Sequence, residues 1–527
     1  MSINRRKFVR SSLLAGAGII LPSVGISGRD KQIGFAGINP FILLNPGAVF
    51  IMNTEVERKT DSAAIKKAGL DFGRSVFGFT DDAHSGIPLT HKVVIKPNLT
   101  CRARGNIKYT VERSMGIVTD VFFVEGIIES LKELGFSSGQ FYVREVNCPG
   151  DLEDGGYPDM AERTGIDLQG IDIPAAELSP DKIQWIDVPD GVFFRRIPYL
   201  WPVNAPDTFL LNIAKFKTHG MGLTLCAKNL QGTIAMNYQA HCSRYGAVLT
   251  GVNPGDINPA ANTDILNNYH RHKAAGIPRW DKPGENGGIW QETWATRCLD
   301  NNSVTLAGLH IIEGIYGRDG NFMDGPGENG LATDYMTNYI IFGRNQFHAD
   351  IIGHYLAGHE PGNFGLFHMA RERGMAETID PAKIPLFKWH PESGAEPVEL
   401  NQLERFPLKT YYLQRNYSGY NEPYWHLVNE PFDYSQAGKP DSIILQQNFP
   451  NPVRHSTTIN FQIPAAGHVS GQLLNEYGSV VKILFDRNLN SGCHSITWDT
   501  YGFASGMYLF RLRYEGIVRT SKILVIR

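Results

Sequence analysis

The sequence predicts an α/β core with a mainly parallel sheet and flanking helices, followed by a C-terminal antiparallel β-sandwich of Ig-like type. Two observations carry this. Over the first three-quarters of the chain, short apolar runs alternate with stretches of helical spacing, as in βαβ units. From residue 443 onward, short alternating strands separated by Gly, Asn and Pro turns replace that pattern. With 527 residues the chain has length for several domains, and 42% hydrophobic with 20% charged residues is ordinary for a globular protein. A formal net charge of −3 gives no reason to expect nucleic acid or an anionic membrane as partner, so any basic site must be local.

Residues 1–28 read as an export signal. Asn4 to Arg10 is a basic segment with the Arg5–Arg6 pair followed by Phe8, and Ser11 to Val24 is apolar but shorter than the ~20 residues a membrane span needs. The pattern is similar to a twin-arginine translocation signal, with an ordinary Sec signal as the alternative. Cleavage falls near Ser23 to Ser27, no lipobox cysteine follows, and no later run is long and apolar enough to span a bilayer.

The α/β domain is expected over 47–384. Ala48 to Met52 is a candidate strand. Asp61 to Phe77 has helical spacing through Ala64, Ile65, Ala68 and Phe72, although Gly69 and Gly73 weaken it. Lys92 to Leu99 is an apolar strand stopped at Pro97, which leaves Lys96 and Asn98 at a strand end, where open α/β sheets place ligands. Thr119 or Asp120 caps a helix from Val121 that Gly135 ends, and Gln140 to Val146 is the returning strand, with Glu145 near its end as a candidate acid/base group. Tyr157 to Thr164, closed by Gly165, is a short helix.

Phe209 to Ile213 reads as a buried strand that runs into Lys215, Lys217, Thr218 and His219, then Gly220 and Gly222, then Lys228 and Asn229. Three ammonium groups, a hydroxyl, an imidazole and an amide so close together suit an anionic ligand such as a carboxylate or phosphate. The bland alternative is a set of solvated loop lysines around a structural histidine. Residues 238–301 read as loop-rich. The His270/His272 pair at i and i+2 projects to one side only on a strand, and the loop-like setting does not favour a metal site. Val304 to Ile312 is a strand that ends in Glu313–Gly314. Asp319 to Gly327 is an acidic glycine-rich loop, Tyr339 to Gly343 a strand, Asn345 to Ala357 a helix carrying Asp350, and Phe364 to Arg373 a helix.

These segments resemble the domain of unknown function 362 family. The resemblance rests on Ala214 to His219 with Thr224, on Lys228 to Gly232, on Lys96-Pro97-Asn98, on Glu313–Gly314, on Asp324 before Gly325–Pro326, and on Asp350. Ala214 and Gln231 replace a proline and a phenylalanine of the usual pattern. The resemblance spans about 47–380. It implies a pocket with Lys96, Asn98, Lys215, Lys217, Thr218, Lys228 and Asn229 as anion-binding groups. In an enzyme, His219 would be the proton shuttle and Glu145 or Asp350 its carboxylate partner. The reaction and the cofactor remain unknown from sequence. The six cysteines, Cys101, Cys148, Cys226, Cys242, Cys298 and Cys493, form no Cys-x-x-Cys pair, so the ferredoxin-type cluster of some relatives is not expected.

Residues 385–440 read as a connector. Its aromatics, Trp389, Tyr411, Tyr412, Tyr417, Tyr420, Tyr424 and Trp425, offer an alternative function as a non-catalytic binding surface. Residues 441–527 are similar to a type A sorting domain of the type IX secretion system, through Leu445 to Pro452, Thr457 to Phe461, Gly492 to Asp499, Ala504 to Tyr508 and Thr520 to Val525. That resemblance implies passage through the periplasm, by the twin-arginine or Sec translocon, and then across the outer membrane by the type IX machinery.

Overall fold

The computed structural model describes residues 34–83, 85–99, 115–146, 151–170, 177–219, 222–235, 238, 245–246, 252–277, 280, 288–318, 334–406, 408, 443–445, 448, 451–475, 479–490 and 492–526. The expected signal segment, the acidic loop with Asp319 and Asp324, the connector aromatics from Tyr411 to Trp425, and Cys101, Cys148 and Cys242 lie outside them.

A nine-stranded sheet forms the core of the α/β part. In chain order its strands are β1 (Val49–Asn53), β2 (Lys92–Pro97), β3 (Phe141–Glu145), β4 (Asp167–Gly170), β5 (Thr208–Lys215), β6 (Leu309–Arg318), β7 (Asp334–Gly343), β8 (Leu386–His390) and β9 (Gly394–Pro397). Across the sheet they stand as β9-β8-β1-β7-β6-β5-β2-β3-β4. Strands β4, β3, β2, β5 and β6 are mutually parallel, as the alternation of elements predicts. The sheet as a whole is mixed, because β7 runs antiparallel to both β6 and β1 and β9 antiparallel to β8. Strands β8 and β9 come from the stretch read as the start of the connector. Trp389 is buried there, edge-on to Phe50 and Phe342, so it packs the core and presents no stacking surface.

Helices cover both faces. On one side, α1 (Ser62–Val76) packs on α2 (Val121–Glu133). The glycines that weakened the α1 reading are what allow this approach: a Cβ on Gly69 would stand 2.1 Å from Phe123 O, and one on Gly73 1.9 Å from Ser130 Oγ. Asp61 and Asp120 cap the two helices by accepting from Ala64 N and Phe122 N. On the other side lie the one-turn helix α3 (Cys226–Asn229), α4 (Ala261–Ala274), α5 (Gly288–Val304), α6 (Gln346–Leu356) and α7 (Gly365–Glu372). The expectation of a loop around residues 269–273 is corrected: these residues close α4, with His270 exposed and His272 buried. Helix spacing of about 100° per residue separates an i, i+2 pair, so the two imidazoles do not converge. The strand expected from Val304 begins at Leu309, since Val304 still belongs to α5.

From Ile444 the chain is antiparallel throughout. Strands β10 (Ile444–Leu445), β11 (Ser456–Ile463) and β14 (Gly492–Asp499) form one sheet. Strands β12 (Gly467–Leu474), β13 (Val480–Leu489), β15 (Gly506–Tyr514) and β16 (Ile517–Val525) form another, ordered β13-β12-β15-β16. Both contribute to one apolar cluster, with Ile459, Phe461 and Trp498 from the first and Val469, Phe510, Leu512 and Ile523 from the second. No helix among the described residues is long and apolar enough to cross a membrane.

Candidate functional site

The C-terminal ends of the parallel strands carry the polar residues singled out above, and the structure buries them. Lys96, near the end of β2, and Glu145, the last residue of β3, form an ion pair at 2.6 Å with side chains 1% and 0% exposed. The Lys96 ammonium also donates to Pro97 O at 2.6 Å and to Asn229 Oδ1 at 3.1 Å. These three bonds use all three of its N–H groups, which leaves none for a ligand. Burial lowers the Lys96 pKa; the Glu145 carboxylate opposes that effect and Lys228 adds to it. Backbone closes over the pair: a Cβ on Gly232 would stand 1.9 Å from Glu145 Oε1 and 2.8 Å from Lys96 Nζ.

One strand away, Lys215 and Glu313 repeat the device at 2.6 Å, both fully buried. The Lys215 ammonium also sits 3.9 Å from the ring centre of Tyr316. Tyr316 donates its hydroxyl to Asp120 Oδ2 at 2.6 Å, and Asp120 N donates to Glu313 Oε2 at 3.1 Å. Burial raises the Glu313 carboxyl, and Lys215 works against it. Glu313 had been noticed only as a strand-end residue. Asp120 was read only as a helix cap and Tyr316 gave no signal, and they are recognised as part of this network only from the fold.

Asn229 joins the motif residues into a relay of amides. Its Nδ2 donates to Lys96 O at 3.0 Å and to Asn212 Oδ1 at 2.8 Å. Asn212 Nδ2 in turn donates to Cys226 O at 2.9 Å and stands 3.0 Å from His310 Nδ1, which therefore accepts. Burial pushes the His310 pKa down to about 3, consistent with a neutral ring. Asn229 Oδ1 accepts from Lys96 and, at 3.2 Å, from Asn98 Nδ2. A sequence signal for Asn212 did exist, since it is the one polar residue in the run Phe209 to Ala214.

Lys217, Thr218 and His219 form a short strand paired with Gly222–Thr224, in the register Lys217↔Thr224 and His219↔Gly222. All three are buried. Gly222 has φ +114°, a backbone conformation that favours glycine, and Phe364 lies where its Cβ would be. The Thr218 and Thr224 hydroxyls have no hydrogen-bond partner among the described residues. Lys228 is 8% exposed and makes no ion pair among the described residues.

Asp350, a candidate partner for His219, caps the turn that carries Lys228 and Asn229. Its two oxygens accept from Cys226 N at 2.7 Å and Ala227 N at 2.9 Å. Burial pushes its pKa up to about 7, against the pull of those amides. The structure thus brings Lys96, Asn98, Glu145 and Asn229 into one bonded cluster and sets Lys215 beside it with Glu313. It uses Asp350 to hold the backbone. Among the described residues no group of His, Cys, Asp and Glu has the arrangement of a metal site.

Residues 93–354 match the family model described as a domain of unknown function, DUF362. Residues 447–526 match the model described as a secretion system C-terminal sorting domain. The sorting domain marks the chain for export, so this is a secreted or cell-surface protein. Two solved structures from Porphyromonas gingivalis share short segments with it. Dimeric latent PorU is 24% identical, with 16% of this chain and 9% of that one covered and a TM-score of 0.14. PorZ, described as an essential surface component of the type-IX secretion system, is 22% identical, with 17% and 12% covered and a TM-score of 0.12. The chain spans about a tenth of the length of these two. No curated protein matches it.

Proposed function

We propose that this exported protein binds an anionic small molecule at the C-terminal edge of its parallel strands, with Lys228 as the ligand-facing cation. One observation carries the reading. Lys96 and Lys215 are each neutralised by their own carboxylate, whereas Lys228 is nearly buried without one. A cation with little exposed surface and no carboxylate partner among the described residues attracts an anion more strongly than one in open water. Lys217, Thr218 and His219 extend the site. In an enzyme His219 would move the proton, because an imidazole titrates nearest neutrality. Lys96, Asn229 and Glu145 serve as the scaffold that holds Asn98 and the Lys228 turn in place.

The test is titration of the mature protein with carboxylates and inorganic phosphate, followed by calorimetry and thermal melting. Lys228→Gln removes the charge and keeps most of the length. Its binding is expected to fall at least tenfold while its melting temperature holds or rises. Equal binding by Lys228→Gln and the parent would refute the reading. Transit by the twin-arginine route belongs to the same proposal, supported by Arg5–Arg6 and Phe8. An Ig-like sandwich for the sorting domain is supported by the apolar cluster its two sheets share.

A further inference from the structure

We infer that the ligand of this site is a hydroxy- or amino-carboxylate, an anion that brings an O–H or N–H donor close to its charge. The inference rests on the reading above and adds the chemistry of the second contact.

The amide relay determines which end of Asn98 is free. Asn229 Nδ2 faces a backbone carbonyl, Lys96 O, so that atom must be the donor and Asn229 Oδ1 the acceptor. Lys96 confirms this from the other side, since its ammonium can only donate to Asn229 Oδ1. The Asn98 atom 3.2 Å from that oxygen is therefore Nδ2. Asn98 Oδ1 is left on the far side of its amide, in a side chain 3% exposed, with no hydrogen-bond partner among the described residues. The backbone does not release it to turn, because Asn98 N donates to Thr119 Oγ1 at 2.8 Å and Thr119 N donates to Asn98 O at 2.8 Å. A buried acceptor without a donor is unfavourable, and a ligand that supplies the donor gains accordingly.

The adjacent charge sets the rest of the class. Asn98 and Lys96 both donate to Asn229 Oδ1, and the Lys228 charge lies near enough to lower the Lys96 pKa. Lys96 and Lys215 are already paired with Glu145 and Glu313, and Lys228 makes no ion pair among the described residues. One unpaired ammonium suits a single carboxylate and opposes a polyphosphate, which would bring several uncompensated charges. A carboxylate with a nearby hydroxyl or amine satisfies Lys228 and Asn98 Oδ1 together.

The experiment compares matched probes on the exported protein by calorimetry: lactate and alanine against propionate, and malate and aspartate against succinate, with inorganic phosphate alongside. In at least one set the hydroxy or amino acid is expected to bind roughly 10- to 100-fold tighter than its unsubstituted partner. Asn98→Ala is expected to erase that preference while Lys228→Gln weakens every member alike. Equal affinity within both sets, or tightest binding of phosphate, overturns this inference and leaves anion binding at Lys228 standing. Binding that is absent for all probes, or that ignores Lys228→Gln, overturns both.

Discussion

The imidazole of His272 lies between two carboxylates, and this predicts a specific loss of stability at alkaline pH. Its Nδ1 is 2.6 Å from Glu292 Oε2 and its Nε2 is 2.7 Å from Glu372 Oε2. Trp280 Nε1 also donates to Glu292 Oε2 at 2.8 Å, and Arg271 pairs with Glu372. Each ring nitrogen thus faces a carboxylate, which favours the doubly protonated cation, while Arg271 Nη2 also stands 3.1 Å from Nε2. Burial disfavours that cation, but the two glutamates outweigh it and raise the His272 pKa from 6.5 to about 9. Burial likewise raises the Glu372 carboxyl, and His272 and Arg271 overcome it to bring the pKa down to about 2. Because the folded pKa of His272 is raised, its contribution is fully present below pH 6.5 and is lost as pH rises through about 9. The interval from 6.5 to about 9, at about 1.4 kcal/mol per pH unit, is worth about 3 kcal/mol. Melting followed from pH 6 to pH 10 should show the parent losing roughly 5 °C more than His272→Gln across that range. Parallel pH profiles for the two proteins would refute the imidazolium clamp and the energy assigned to it.

Other outcomes follow from the buried cluster. Glu145→Gln strands the Lys96 ammonium and should cost roughly 3–5 kcal/mol in denaturant unfolding, while the double variant Lys96→Met/Glu145→Gln should recover a large part of that. A double variant no more stable than the single one would show that the pair is not the source of the loss. Gly232→Ala places a methyl on Glu145 Oε1 and Lys96 Nζ and should destabilise by roughly 1–3 kcal/mol; an unchanged unfolding midpoint would contradict the close approach. Asp350→Ala removes the acceptor of Cys226 N and Ala227 N, so those two amides should exchange with solvent faster than their neighbours in α6. Uniform exchange changes would mean Asp350 does not act through that turn.

Much of the core could be read along the chain. The apolar runs at Val93–Ile95, Phe209–Ile213 and Ile340–Phe342 are strands because fully buried strands need apolar side chains on both faces. The cap at Asp120 was visible because it acts over two residues. The helix through His270 and His272 was missed. Its apolar residues, Ala261, Ile265, Leu266, Tyr269 and Ala274, are outnumbered by polar ones, so the apolar stripe is thin and was not recognised. The continuation of the sheet into β8 was missed because that segment is proline-flanked and short, and it joins β1 from more than 330 residues away.

The candidate site divides the same way. Sequence alone placed Lys96, Asn98 and Lys215 at strand ends or beside them, because each follows a buried apolar run. It also set the destination outside the cell, since a sorting domain is a contiguous stretch with its own turn and strand pattern. Which lysines are already neutralised was decided only by the tertiary structure. Glu145 is 49 residues from Lys96, and Glu313 is 98 residues from Lys215. Ion pairing depends on separation in space and on exclusion of water, and neither quantity has a period that a linear pattern can carry. The same limit hid the free acceptor of Asn98, whose orientation depends on a carbonyl and an ammonium of Lys96 and an amide of Asn229 that meet only when α3 packs on the end of β2.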